Sequence, residues 1–227
     1  NPQGPLINLQ IGNGNERQNL STAIQIVFVM TLLTLAPSLI MLMTSFTRIV
    51  IVLGFVRTAL GVPSAPANQL LIGISLFVTF FIMTPVWNEI QEKAITPYMA
   101  EQINSNEAMD LAIEPLRTFM LRQTRPGEVD FFLDLAGMGR TEIKDLPMRV
   151  VLPAFVISEL RTSFQMGFLI FIPFLVIDFL VGSTLMSMGM MMLSPMMISM
   201  PFKLMLFVLV DGWTLIMGSL TGSFTIS

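Results

Sequence analysis

Residues 24–43 read IQIVFVMTLLTLAPSLIMLM, twenty positions without a charge. An α-helix rises about 1.5 Å per residue, so about 20 apolar residues reach across the hydrocarbon core of a bilayer. The run sits inside a longer uncharged stretch, residues 18–47. It decides the fold class: an all-α protein embedded in, or assembled at, a membrane. Pro37 lies within the run. Proline removes one backbone donor, so a kink is expected there.

Outward from that run the pattern repeats. Arg48 and Arg57 follow, with residues 49–55 between them apolar and helix-like. Gly61, Pro63, Ser64 and Pro66 then mark a turn. A second uncharged run covers residues 58–88, with its apolar heart at 70–87. Together the two runs read as a first hydrophobic helical hairpin, residues 21–88. A polar arm rich in Asn, Gln, Gly and Pro, residues 1–20, precedes it. Residues 89–149 differ sharply: 18 of the chain's 27 charges fall there, eleven of them acidic. They read as a soluble, net-acidic helical insertion. Ala108, Leu111, Ala112, Pro115, Leu116, Phe119 and Met120 recur at helical spacing, which predicts one amphipathic helix. Gly127 and residues 137–139 are expected at turns. Residues 150–227 read as a second hydrophobic hairpin, bent at Pro173, with a Met-rich loop and a last apolar segment at 196–218. The expected architecture is two long kinked hairpins with the insertion between them.

Composition narrows the function classes. Hydrophobic residues make up 53% of the 227 positions and charged residues 12%, where a soluble domain carries about a quarter charged. The net charge is −3, with no basic block to neutralise phosphates, so nucleic-acid binding is set aside. The chain has no Cys and no His. Disulfides, thiolate nucleophiles and the commonest zinc ligands are therefore missing. No nucleotide-binding loop of the GxxxxGK[ST] type occurs. No metal site, cofactor or chemical step is expected. The chain begins at Asn1 rather than Met, so it is processed or trimmed, and a cleaved signal peptide would explain the missing Met. Arg48 and Arg57, with no acid nearby, place the turn that follows the first segment in the cytoplasm by the positive-inside tendency. The arm, the insertion and the C-terminus then fall outside.

Charges inside apolar helices are costly and tend to face protein or water. Glu159 and Arg161 are two apart, so they point in different directions and each needs a partner elsewhere, on another helix or another subunit. Lys203 and Asp211, eight apart, are expected on one helix face, and Asp178 lies on the neighbouring arm, where it can pair with Lys203. The ordinary reading of these five is inter-helix or intersubunit ion pairing; the sharper one is a proton or ion path. Met186, Met188, Met190, Met191 and Met192, followed by Met196, Met197 and Met200, form the most unusual feature. Met is unbranched and deformable. Such a cluster fills irregular gaps in ordinary packing. As a ring contributed by several subunits it would seal a pore yet give way around a passing polypeptide. Gly54, Gly61 and Gly73, with Ser38, Thr44 and Ser45, are candidates for close helix contact.

Several motifs carry a family resemblance. Residues 153–168, PAFVISELRTSFQMGF, resemble the hallmark segment of the FliP/SctR family, the core export-gate proteins of flagellar and virulence type III secretion systems. Residues 173–178, PFLVID, resemble its second signature, and residues 188–195, MGMMMLSP, its Met-rich loop. Residues 45–53, SFTRIVIVL, and 66–69, PANQ, are also similar to the family. The flagellar branch is favoured, since its members typically carry a cleaved signal peptide. The resemblance implies several copies assembling with FliQ and FliR into a helical, pore-containing complex in the bacterial inner membrane, completed by FlhA and FlhB and conducting unfolded flagellar proteins. It implies that much of the assembly stands above the membrane plane, and that the Met-rich loop is the gasket of the closed channel. The rival reading is a multi-pass ion or small-solute transporter using Asp178, Lys203 and Asp211. A membrane hydrolase is a weaker rival, because no nucleophile is placed beside a base.

Overall fold

The computed structural model describes residues 16–62, 65–139, 141–142, 146–190 and 192–224. Residues 1–15 of the polar arm, Pro63 and Ser64 of the expected turn, and Met191 lie outside the described residues. Among those described there are nine α-helices and no strand, so the protein is all-α. Three helical stretches are long and apolar enough to cross a membrane, at Ile24–Leu42, Asn68–Met99 and Met148–Ser187.

The chain divides into two units, residues 1–40 and 41–227. The first holds most of α1 (Glu16–Leu42). From Ile24 onward its described side chains are exposed apart from the half-buried Ala36. Pro37 lies inside this helix. Thr31 and Thr34 turn their hydroxyls back onto the carbonyls of Val27 and Met30, which hides those polar groups along an apolar surface.

In the second unit the apolar sequence does not run on from α1. It breaks at residues 43–45, where the Thr44 hydroxyl donates to the Met41 carbonyl at 2.9 Å. A separate helix, α2 (Phe46–Ala59), then begins. Ile49, Val52, Leu53 and Val56 on α2 recur at three- and four-residue spacing and are wholly buried. They make one apolar stripe that packs along α7 (Met148–Ser187). Val150, Val151 and Phe155 of α7 meet that stripe, with Phe119 and Met120 from the insertion completing the core. Fully burying side chains of this size contributes roughly 1.5–3 kcal/mol each.

A glycine fixes how closely α2 and α7 approach. A Cβ at Gly167 would lie 2.4 Å from the Phe55 ring. The expected candidates Gly54, Gly61 and Gly73 have nothing within 4 Å of that position. Gly167→Ala is therefore expected to destabilise the chain by about 1–3 kcal/mol through overpacking. Adding Phe55→Leu should recover part of the loss; thermal unfolding in detergent checks both.

The helix α3 (Asn68–Ile90) packs antiparallel to α2 and continues past the first charges of the insertion, through a π-turn (Gln91–Ile95), into α4 (Thr96–Met99). The amphipathic helix of the insertion is α5 (Ser105–Gln123), and the Asn104 side chain caps it by accepting the Glu107 N–H at 2.9 Å. Gly127, expected at a turn, instead lies in the first turn of α6 (Pro126–Leu135), where Pro126 pre-sets the helical φ. Gly137 ends α6 with a left-handed φ of 65°. The amides of Gly137 and Met138 return to the carbonyls of Asp134 and Leu133.

The second apolar region is α7, with Pro153 and Pro173 inside it, then α8 (Pro195–Leu209) and α9 (Gly212–Ser223). The last segment, read as one helix, is broken: α8 and α9 meet at 65°. Asp211 takes a left-handed conformation at the bend. Gly212 leaves room for the Phe207 ring, which a Cβ would meet at 2.4 Å.

Candidate functional site

Two polar groupings and one loop stand out along α7. The first grouping is a hub around Arg48. This residue is 2% exposed, and its Nε donates to Glu159 Oε2 at 2.9 Å while Nη2 pairs with Glu159 Oε1. Nη2 also donates to Gln123 Oε1 at 3.1 Å, and Nη1 donates to the carbonyl and hydroxyl of Ser223 at 3.1 and 2.9 Å. The Phe224 ring lies 3.9 Å from the guanidinium carbon. One arginine thus ties α2, the end of α5, α7 and the end of α9 together. The planar five-donor fork of Arg suits this, and Lys could not reproduce it. Nothing in the sequence marked Arg48 as the partner of Glu159.

Beside the hub, the start of α6 docks along one stripe of α7. The Arg125 amide donates to Ser158 Oγ at 2.9 Å, Arg161 pairs with Glu128 at 3.0 Å, and Arg125 donates to Gln165 Oε1 at 2.7 Å. Positions 158, 161 and 165 are one helix face, and 155 and 159 another. The stretch 153–168 therefore holds the insertion on one side and α2 on the other. Glu159 and Arg161 do point apart, and each finds its partner within this chain.

This geometry corrects the orientation argument drawn from Arg48 and Arg57. Arg48 is buried against Glu159 and bonded to Gln123 of the insertion, so it lies at the insertion's end of the helices. Arg57 lies near the far end of α2 and donates to Asn68 at the start of α3. Only Arg57 belongs to the turn.

The second grouping joins α7 to α8. Lys203 Nζ donates to Asp178 Oδ2 at 2.6 Å, and Ser199 Oγ donates to Oδ1 at 2.5 Å. Ser199 and Lys203 are buried, one helical turn apart, and both oxygens of Asp178 are engaged. Asp211 is exposed at the bend and makes no ion pair among the described residues. Because the helix ends at Leu209, Lys203 and Asp211 do not share one continuous face. Lys203→Ala leaves Asp178 without its countercharge in an apolar setting. It is expected to cost about 1–3 kcal/mol, discounted because Asp178 is partly exposed. Pairing Asp178→Asn with Lys203→Met should recover much of this, read by unfolding in detergent.

The loop at residues 188–194 lies about 40 Å along α7 from Glu159, at one-and-a-half ångström per residue. Gly189, with φ 74°, ends α7; the amides of Gly189 and Met190 return to the carbonyls of Met186 and Leu185. Pro195 then starts α8. Met186, Met188, Met190 and Met192 are all exposed, Met192 completely. Met196 and Met197 extend the exposed surface into α8. No group of three or more acidic side chains that could hold a metal occurs among the described residues.

Residues 29–220 match the profile of the FliP family. The chain is 52% identical to the flagellar biosynthetic protein FliP of Bacillus subtilis (strain 168), over 95% of this chain and 98% of that relative. It is 50% identical to the protein of the same name from Pectobacterium carotovorum subsp. carotovorum, over 96% of this chain and 84% of the relative. With that of Aquifex aeolicus (strain VF5) it shares 44%, over 98% and 92%.

Proposed function

The chain belongs to the FliP family, and on that premise we propose that it is a pore-forming core subunit of the flagellar protein export gate. In this reading several copies assemble with FliQ and FliR in the bacterial inner membrane, with FlhA and FlhB completing the gate. The assembly conducts unfolded flagellar proteins. The acidic insertion faces the periplasm, a side favoured by Arg57 in the opposite turn. Met186, Met188, Met190, Met191 and Met192 form the gasket that keeps ions out of the closed channel.

The observation that carries the reading is the apolar surface this chain leaves exposed. Phe77, Phe80 and Phe81 on α3, and Phe164, Phe168 and Phe179 on α7, all lie on the outside. Monomeric soluble proteins rarely expose contiguous apolar patches beyond a few hundred Å². Lipid and neighbouring subunits would cover them. The exposed Met loop at the tip of α7 and α8 is where copies around an axis would converge. Asp211, exposed and in no ion pair among the described residues, is assigned to an intersubunit contact. The transporter reading is disfavoured by Asp178, whose two oxygens are already held by Lys203 and Ser199.

The test is secretion. Deleting the gene in its own bacterium should remove flagellar proteins from the culture medium, and the intact gene should restore them. Unchanged secretion in the deletion would overturn the proposal.

A further inference from the structure

We propose that the Met loop is an oxidative modification site, at which peroxide converts exposed thioethers to sulfoxides and thereby opens the seal. The inference rests on the gasket reading above. The chain has no Cys, so methionine holds its only sulfur. Oxidation follows access of the oxidant to that sulfur. Met186, Met188 and Met192 are 69%, 68% and 103% exposed, while Met120 in the core is at 0%. In a gasket these side chains face the lumen, where a small solute reaches them.

The chemistry balances with hydrogen peroxide as oxidant. A sulfur lone pair attacks one peroxide oxygen, an S–O bond forms and the O–O bond breaks. Sulfur loses two electrons, and the departing hydroxide takes the remaining proton to leave as water. The product is a polar sulfoxide with a strong acceptor oxygen, in place of a flexible apolar group. Around a water-excluding constriction, that change favours hydration over closure. Several methionines in one loop multiply the effect. The loop's backbone is held by the Gly189 and Met190 amides bonded to Met186 and Leu185 carbonyls. Oxidation therefore alters the surface of the loop and leaves the turn that ends α7 intact. Leucine at these positions would seal but would not respond, which gives the abundance of methionine a second physical consequence.

The experiment uses the assembled complex in liposomes, exposed to dilute hydrogen peroxide. Ion conductance is followed while peptide mass spectrometry measures sulfoxide at each Met. The expected result is a severalfold rise in conductance that tracks sulfoxide in the loop while Met120 stays reduced. Methionine sulfoxide reductase with a thiol reductant should restore the seal. A variant carrying Met186, Met188, Met190, Met191 and Met192→Leu should stay closed throughout. Loop sulfoxides without a leak, a leak that the reductase does not reverse, or an equal leak in the Leu variant would each overturn the proposal. Failure of the gasket reading is distinguishable, because the matching Ala variant would then remain sealed without any peroxide.

Discussion

Arg48→Ala is expected to destabilise the chain by about 3–5 kcal/mol, the cost of leaving a buried charge without its partner. Glu159 is wholly buried, and removing the guanidinium takes away both donors that satisfy it. Gln123 and the end of α9 lose their contacts in the same step. Glu159→Gln should cost less, since an amide still accepts one guanidinium hydrogen bond. Replacing both residues by Met should cost clearly less than Arg48→Met and Glu159→Met added together, because neither charge is then stranded. Thermal unfolding of the parent, the two Met singles and the double in detergent provides the cycle. Arg48→Lys separates charge from geometry. It keeps the countercharge to Glu159 but cannot also reach Ser223 and Gln123. Faster hydrogen exchange at the end of α9, with the middle of α7 unchanged, is the expected signature. Equal exchange in Arg48→Lys and the parent would mean that α9 is held by its apolar contacts alone.

The sequence made the all-α class legible, because long uncharged runs admit little else. The Asp178–Lys203 contact was also legible. Few charges occupy the second apolar region, and a single loop separates the two arms that carry them. Arg48 and Glu159 are a different case: 111 positions and a whole insertion separate them, and an arginine just after an apolar run reads as a surface charge. The break before α2 has no Pro or Gly to announce it; Thr44 ends α1 by donating its amide and hydroxyl to the Met41 carbonyl. The break between α8 and α9 did have a signal. Asp211-Gly212 is a turn dipeptide, outweighed in the reading by the apolar residues on both sides. Close packing fell to Gly167 rather than Gly54 or Gly73 because a glycine matters only where a facing ring arrives. Phe55 supplies that ring, and no spacing rule connects the two positions. The assignment of residues 153–168 as a docking segment needed the fold, since its two faces serve α6 and α2 separately.

The largest functional effect is expected from shortening the Met loop side chains. Each Met→Ala change removes most of a flexible apolar side chain while leaving Gly189 and Pro195, which set the loop's path, in place. The helices keep their core, because the exposed loop methionines lie outside it. A channel sealed by those side chains would lose its plug without losing its walls. The deciding measurement is ion conductance across membranes carrying the assembled complex, comparing the parent with Met188, Met190, Met191 and Met192→Ala. A large leak in the variant, with the complex intact on purification, is the predicted result. An unbroken seal in an intact variant complex would contradict the account and make the loop an ordinary packing element.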